Sequence, residues 1–139
     1  MAAIENGFPL SASIGIGLVG YGIHDKRWRK LRVISDRCQF VTCPCPDREE
    51  AGRIGGALVG KGLAAAVNIV SQDSVYRWRG QVREAREYLL IIKGPRNNYE
   101  LIERTILDMH SYELPGIAAV PLVDGFEPYL EWIGRGGAG

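Results

Sequence analysis

The sequence predicts an α+β domain with elements in the order β-α-β-β-α-β, followed by a short C-terminal helix. Short runs rich in β-branched and aromatic residues alternate with two segments of helical apolar periodicity. Proline and glycine separate these segments. A chain of 139 residues with 46% hydrophobic and 24% charged residues has the composition of one ordinary globular domain.

The first strand is predicted at CQFVTC (38–43), and Pro44 and Pro46 are expected to stop it. The first helix should follow at once, with Asp47 as its N-cap and acidic residues in its first turn. Gly62 is expected to end it. Apolar residues at i, i+3 and i+7 should form its buried face: Ala51, Ile54 and Leu58.

The middle of the chain predicts a long hairpin. LAAAVNIV (63–70) is expected to be a strand buried on both faces, and SVYRWRG (74–80) a second, half-polar strand segment. Gly80 and Gln81 predict a turn, and QVREAREYLLIIKG (81–94) predicts a long strand with an exposed first half and a fully buried second half. Strands that overhang their own sheet usually pair with another chain, so we expect an oligomer.

The second helix is predicted to begin near Asn97 and to end at His110. Asn97 is followed three residues later by Glu100, which is the spacing of a capping box. An apolar stripe should face the core: Tyr99, Ile102, Ile106 and Met109.

A fourth strand and a short helix complete the domain. IAAVPLV (117–123) predicts the strand, in which Pro121 indicates an edge or bulge position. Pro128 should open a last helix through 129–133. The complete order is that of a ferredoxin-like split βαβ sandwich, an antiparallel sheet with helices on one face.

Residues 1–37 are expected to be an N-terminal extension of unknown role, outside the domain at 38–139. The apolar run at 11–23 is too short and too glycine-rich to span a bilayer. A basic run follows it at 24–32, which is the reverse of a secretory signal. Three clustered cysteines do not form a secreted disulfide framework. We therefore expect a cytoplasmic protein without a membrane partner, and organelle targeting by the extension stays open.

Two function classes are disfavoured. The net charge of +1 and the absence of an RNP1-type run argue against nucleic acid as a partner. Tyr76 and Trp78 share one strand face and are expected to pack at a subunit interface instead. The chain offers no evident nucleophile with its base or paired-carboxylate centre, and GIGLVG (15–20) lacks the Lys-Ser/Thr of a phosphate loop. We therefore expect no enzymatic activity.

Six runs resemble, in order and spacing, the CutA family of divalent-cation-tolerance proteins. These runs are FVTCP (40–44), LAAAVNIV (63–70), SVYRWRG (74–80), LLIIK (89–93), HSYELPGI (110–117) and PYLEWI (128–133). The resemblance implies a homotrimer, tolerance to copper and other divalent metals, copper binding in some members, and neither an organic cofactor nor an established reaction. The architecture also resembles that of P-II signalling proteins, which leaves open a regulatory module that binds a nucleotide or small anion in an inter-subunit cleft.

Three positions depart from the family pattern. Ser111 stands where proline is usual, and Ala66 stands where a cysteine is often found. The run TCPCPD (42–47) is longer than usual by a Cys-Pro pair. Either Cys43 or Cys45 can therefore be aligned with the family's cysteine.

By this resemblance, Cys43 and His110 are the first candidates for metal ligands, and Met109 takes the place of a second histidine. Thiolate and imidazole are preferred ligands of copper and zinc, and a thioether would favour Cu(I). Two structural alternatives stay open. His110 can cap the last carbonyls of the second helix, and Cys43 can be a small buried apolar residue.

Three polar residues are candidates for lining an inter-subunit cleft: Lys93, Tyr112 and Glu113. In that role Lys93 would attract an anion. The alternative is a partly buried polar network that fixes the trimer.

Overall fold

The computed structural model describes residues 37–139, so the predicted extension lies outside the described residues except for Arg37. The described residues form a four-stranded antiparallel sheet in the order β2-β3-β1-β4, which confirms the ferredoxin-like prediction. None of their helices is long and apolar enough to cross a membrane. The elements are β1 (Cys38–Cys45), α1 (Arg48–Gly60), β2 (Ala66–Trp78), β3 (Gln81–Pro95), a 3-10 turn (Arg96–Asn98), α2 (Tyr99–Met109), β4 (Ala118–Pro121) and α3 (Glu127–Gly134).

Strand β1 lies between two hydrophobic clusters because its side chains alternate between the faces of the sheet. The larger cluster packs β1 and β3 against α1 and α2, and the smaller one packs Cys38 against α3. The buried members of the larger cluster are Val41, Cys43, Cys45, Ala51, Ile54, Leu58, Ala64, Leu90, Ile92, Ile102 and Ile106.

Helix α1 begins and ends as its sequence predicts. The Asp47 carboxylate accepts a hydrogen bond of 2.8 Å from the Glu50 backbone N–H. The predicted apolar face is fully buried. The helix ends at Gly60, and Gly62 follows with a φ of +73°, a conformation that glycine adopts without strain.

The predicted stop of β1 at Pro44 is wrong, because the strand continues to Cys45. Strand β4 pairs only with residues 39–42, so beyond Thr42 strand β1 has a strand partner on one side only. A residue without an N–H is tolerated at such an edge.

The two strand segments predicted at 63–70 and 74–80 are one continuous strand, β2. It is not buried on both faces, because its residues largely alternate between half-buried and exposed, as in an antiparallel sheet with one face toward solvent. The inner half of β3 is not fully buried either, because its residues alternate between half-buried and buried. The turn lies one residue earlier than predicted, at Arg79 and Gly80, whose φ values of 52° and 79° suit a two-residue hairpin loop.

The β2–β3 hairpin extends beyond the rest of the sheet, as the strand lengths predict. Strand β1 pairs with β3 only over residues 88–95, whereas β2 and β3 stay paired out to Trp78 and Gln81. Residues 72–87 therefore form a two-stranded projection, here called the hairpin arm. Its large exposed apolar side chains are Val75, Tyr76 and Val82.

The capping box predicted at Asn97 is wrong, since residues 96–98 form a 3-10 turn and α2 starts at Tyr99. Asn98 occupies the cap position, but its side chain donates to the Leu63 carbonyl at 3.1 Å. The apolar stripe of α2 does face the core.

The chain beyond α2 follows the sequence prediction, except that the strand predicted at 117–123 covers only Ala118–Pro121. The helix ends where expected, and the His110 backbone N–H donates to Ile106. Strand β4 is an edge strand that ends at Pro121, and Pro128 lies in the first turn of α3.

Candidate functional site

Three elements meet where β1 ends, α1 begins and α2 ends. Asp47 starts α1 directly after β1, which places Glu50 in the first helical turn beside Cys45. The end of α2 brings His110 to the same place. One potential ligand atom from each of Cys45, Glu50 and His110 lies within 4.8 Å of the other two. The side chains of Cys45 and His110 are fully buried.

Both ring nitrogens of His110 are hydrogen-bonded. Its Nε2 lies 2.8 Å from the Pro44 carbonyl oxygen, and its Nδ1 lies 3.1 Å from the backbone nitrogen of Tyr112. A carbonyl oxygen can only accept and a backbone N–H can only donate. The pair of bonds therefore fixes a neutral imidazole that donates from Nε2 and accepts at Nδ1. The predicted capping of the last α2 carbonyls by this ring is wrong, because the ring binds β1 instead.

Glu50 is the member of the cluster that sequence reasoning missed. Its Oε2 accepts a hydrogen bond of 2.9 Å from the Ser111 backbone N–H and lies 3.3 Å from His110 Nδ1. The sequence signal was limited to an acid in a first helical turn, which normally indicates only a favourable dipole interaction. Burial of this carboxylate depends on α2 ending above it, which no local pattern encodes.

Cys43 and Cys45 lie on the same face of β1, and both are fully buried. The thiol of Cys43 donates to the Pro44 carbonyl at 3.7 Å. Its pKa is raised well above the usual range by its interaction with the Cys45 thiol and by burial. The structure thus groups Cys45, rather than the predicted Cys43, with His110. Met109 is half-buried and packs against the larger hydrophobic cluster.

Tyr112 and Glu113 connect this region to the hairpin arm. The Tyr112 hydroxyl donates to Glu87 Oε2 at 2.6 Å, and the Glu113 carboxylate accepts from Arg79 at 2.8 Å. Burial, and then the bond to Glu87, raise the pKa of Tyr112. The Tyr112 ring also lies 4.9 Å from the His110 ring, between their centroids. The candidate cluster and the hairpin arm therefore share a short connecting segment, residues 111–113.

The remaining predicted residues lie elsewhere. Lys93 donates to the Tyr129 hydroxyl at 3.1 Å, and its ammonium lies 5.6 Å from the centroid of the Phe40 ring. It is thus tied to α3 rather than to the 111–113 segment. Tyr76 is 42% exposed on the hairpin arm. Trp78 is half-buried near the tip of the arm, with the Arg79 guanidinium 5.5 Å from its ring centroid.

Residues 39–136 match the family model described as CutA1 divalent ion tolerance protein. The chain belongs to the CutA family. The family description names tolerance to divalent ions and no chemical reaction.

Curated CutA relatives are similar over the same part of the chain. The divalent-cation tolerance protein CutA of Thermus thermophilus is 38% identical over 96 residues, which are 68% of this chain and 93% of that protein. Human Protein CutA is 37% identical over 95 residues, which are 68% of this chain and 52% of that protein. An Arabidopsis thaliana relative, 38% identical over 95 residues, is named as chloroplastic.

Solved CutA structures share the fold. The periplasmic divalent cation tolerance protein CutA of Archaeoglobus fulgidus superposes with a TM-score of 0.70 at 34% identity, covering 73% of this chain and 99% of that chain. The Thermus thermophilus protein Cut A1 gives a TM-score of 0.69 at 37% identity, with the same coverage of 73% and 99%.

Proposed function

We propose that this CutA-family protein binds a divalent metal ion, copper or another, through Cys45, Glu50 and His110. The observation that carries the proposal is the convergence of one thiol, one carboxylate and one imidazole within 4.8 Å. Sulfur, oxygen and nitrogen together are a ligand set suited to Zn²⁺ and Cu²⁺, whereas Cu(I) prefers sulfur alone.

The surroundings of His110 support this role. A metal-binding histidine is neutral and usually donates its other ring N–H to a carbonyl or carboxylate, which fixes the ring orientation. His110 donates from Nε2 to the Pro44 carbonyl and accepts at Nδ1 from the Tyr112 backbone N–H, which is the pattern of a neutral ring with a fixed orientation.

The electrostatics of the cluster also favour a cation. His110 Nδ1 lies 3.3 Å from Glu50 Oε2, close enough for one ion to contact both atoms. Glu50 is only 5% exposed, and a buried carboxylate attracts a cation strongly.

Cys43 and Met109 stay proposals as additional ligands. Cys43 is adjacent to Cys45 on the same strand face, so a metal that displaced its proton would gain a second thiolate. Met109 immediately precedes His110 at the end of α2, and its thioether would add a soft ligand only for Cu(I).

Calorimetric titration of the reduced full-length chain with Cu²⁺ and with Zn²⁺ tests the site. Loss of a ligand should weaken binding by more than about tenfold in each of Cys45→Ala, Glu50→Gln and His110→Ala. Cys38→Ala and Glu49→Gln are matched controls, because Cys38 is a buried thiol in the other cluster and Glu49 is an exposed neighbour of Glu50. Absence of binding, or binding that none of the three variants weakens, would refute the proposal. Cys43→Ala and Met109→Leu then report whether either side chain contributes.

We also infer that the protein is a homotrimer assembled through its hairpin arm. Strand β2 is an edge strand of 13 residues, and an unprotected edge of that length normally acquires a partner. The arm exposes Val75 and Tyr76, which are 70% and 42% accessible in the single chain. Light scattering should give about three times the chain mass of 15.3 kDa, and a monomeric mass would contradict this inference.

The regulatory alternative, a P-II-like trimer that binds a nucleotide or small anion, has weaker support. Lys93 would attract the anion, yet its ammonium already donates to Tyr129 and lies near two aromatic rings. Thermal denaturation with a panel of nucleotides distinguishes the two functions. A ligand at 100 times its dissociation constant adds about 2.7 kcal/mol of stability, and no shift with any nucleotide would eliminate this alternative.

A reducing compartment such as the cytoplasm suits the proposed site. Cys38, Cys43 and Cys45 are free thiols, and metal binding through Cys45 requires that it stay reduced. Fractionation of cells that express the full chain tests the location.

A further inference from the structure

We propose that metal binding at His110 and attachment of the hairpin arm through Tyr112 oppose each other. This inference rests on the proposed metal site and specifies how that site is regulated. It follows from the 111–113 segment, which contacts the candidate ligands at one end and the arm at the other.

A metal ion and the Tyr112 backbone N–H compete for one atom, His110 Nδ1. A neutral imidazole has a single acceptor nitrogen, and in His110 this is Nδ1, because Nε2 donates to Pro44. The lone pair of Nδ1 is occupied by the Tyr112 backbone N–H at 3.1 Å. The same lone pair cannot hold that N–H and a metal ion, so binding at Nδ1 requires the Tyr112 backbone to withdraw.

Glu50 can bind a metal ion without losing its own hydrogen bond. Its Oε2 accepts the Ser111 N–H, but a carboxylate oxygen has a further lone pair that stays available for a metal. Ser111 can therefore keep its bond while Tyr112 moves. The structural cost of metal binding is concentrated on Tyr112.

Tyr112 also makes the stronger of the two side-chain bonds between the 111–113 segment and the arm. Its hydroxyl binds the buried carboxylate of Glu87 at 2.6 Å, a length typical of a strong, charge-assisted hydrogen bond. The neighbouring pair of Glu113 and Arg79 is exposed at both ends and contributes little. Withdrawal of the Tyr112 backbone strains the bond to Glu87, so metal binding should loosen the arm.

Coupling between two binding equilibria is reciprocal, so a weakened attachment must tighten metal binding. Calorimetric titration with Zn²⁺ measures this in the wild type and in Tyr112→Phe, which removes only the hydroxyl. We expect Tyr112→Phe to bind Zn²⁺ about tenfold more tightly, the factor that corresponds to one hydrogen bond with a charged partner. Tyr99→Phe is the matched control, because it removes another tyrosine hydroxyl bonded to a glutamate, Glu103, within α2. Its affinity should equal that of the wild type.

Amide hydrogen exchange of residues 72–87 provides the second readout. Saturating Zn²⁺ should accelerate exchange in the arm of the wild type, and Tyr112→Phe should show that acceleration without metal. If the wild type and Tyr112→Phe bind Zn²⁺ equally and the arm exchanges at the same rate with and without metal, the coupling is refuted while the metal site stands. If neither protein binds Zn²⁺ or Cu²⁺, both the site and the coupling are refuted.

Discussion

The Tyr112 hydroxyl donates a hydrogen bond of 2.6 Å to Glu87 and thereby joins the segment after α2 to the hairpin arm. Glu87 is only 5% exposed, so water cannot readily replace this donor. Burying a charged group without a partner costs more than the net value of the bond itself. The pair should therefore contribute to stability more than a surface contact would.

Tyr112→Phe should lower the free energy of unfolding at neutral pH by about 2 kcal/mol, because the Glu87 carboxylate loses its donor. Urea denaturation measures the change. Tyr99→Phe should cost only about 0.5 kcal/mol, since its bond to Glu103 is a contact between half-buried side chains four residues apart within α2. If the two variants lost the same free energy of unfolding, the bond between Tyr112 and Glu87 would stabilise the protein no more than a contact within one helix.

Ionisation of Tyr112 should make the stability of the protein fall at alkaline pH. Burial and the bond to Glu87 raise the pKa of Tyr112 above its ordinary value of 10.0. The unfolded chain therefore releases this proton first, so the stabilisation is complete below pH 10 and is lost as the pH rises through the folded pKa. Wild-type stability should fall above about pH 10, by up to about 1.4 kcal/mol per pH unit from this group.

Tyr112→Phe lacks this group, so its stability should decline less steeply over the same range. Cys43, whose pKa is also raised, is present in both proteins and cancels in the comparison. Urea denaturation at several pH values between about pH 8 and pH 11 measures both curves. Parallel curves would contradict the assignment.

Local sequence patterns predicted the elements and most of their ends. As predicted, the Asp47 side chain caps α1, α2 ends at His110, and Pro121 lies in an edge strand, where its missing N–H is tolerated. These features depend on neighbours in sequence, which is why spacing alone was sufficient. The continuity of β2 was missed, since the polar residues at 71–74 resemble a loop unless strand β3 is known to pair with them.

The candidate site was predicted only in part. His110 was identified, but the sequence favoured Cys43, whereas the structure groups Cys45 and Glu50 with that histidine. Two cysteines two residues apart share a strand face, so only the position of the end of α2 decides which thiol lies nearer. Glu50 resembles any acid of a first helical turn until tertiary packing buries it. Convergence of three element ends is a tertiary property.

Glu50→Ala should destabilise the protein by about 2 kcal/mol, because the Ser111 N–H loses its acceptor and removal of the buried Glu50 side chain leaves a cavity. Glu50→Gln retains an acceptor oxygen and should lose less than half as much. Urea denaturation of the metal-free protein measures both. Glu49→Ala, which alters an exposed residue of the same turn, should stay within about 0.5 kcal/mol of the wild type. A similar cost for Glu49→Ala and Glu50→Ala would contradict the role of the buried carboxylate.

The three thiols should be unreactive in the folded protein. Cys38, Cys43 and Cys45 are each 0% exposed, and burial contributes to the raised pKa of both Cys38 and Cys43. Since the thiolate is the reactive form, a disulfide reagent at about pH 8 should modify none of them within minutes and all of them in denaturant. Rapid modification of a native thiol would mean that the region around it opens readily.

Substitution of alanine for glycine should have opposite effects on stability at two positions, Gly94 and Gly56. In Gly94→Ala the new Cβ would lie 2.9 Å from the Leu63 carbonyl oxygen and 3.3 Å from Ala64 Cα. Both are backbone atoms, so the clash can be relieved only by separating β3 from the chain that enters β2. Overpacking of this kind should cost about 2 kcal/mol.

Gly56→Ala is the matched control in the interior of α1, where the new Cβ would meet no heavy atom within 4 Å among the described residues. Here alanine should stabilise the protein by up to about 1 kcal/mol, because it restricts the unfolded chain and favours the helix. Urea denaturation of both variants at neutral pH gives the comparison. If Gly94→Ala were as stable as the wild type, the close approach of β3 to Leu63 would be wrong. If Gly56→Ala were destabilised instead, that face of α1 would have to be covered, most simply by another copy of the chain.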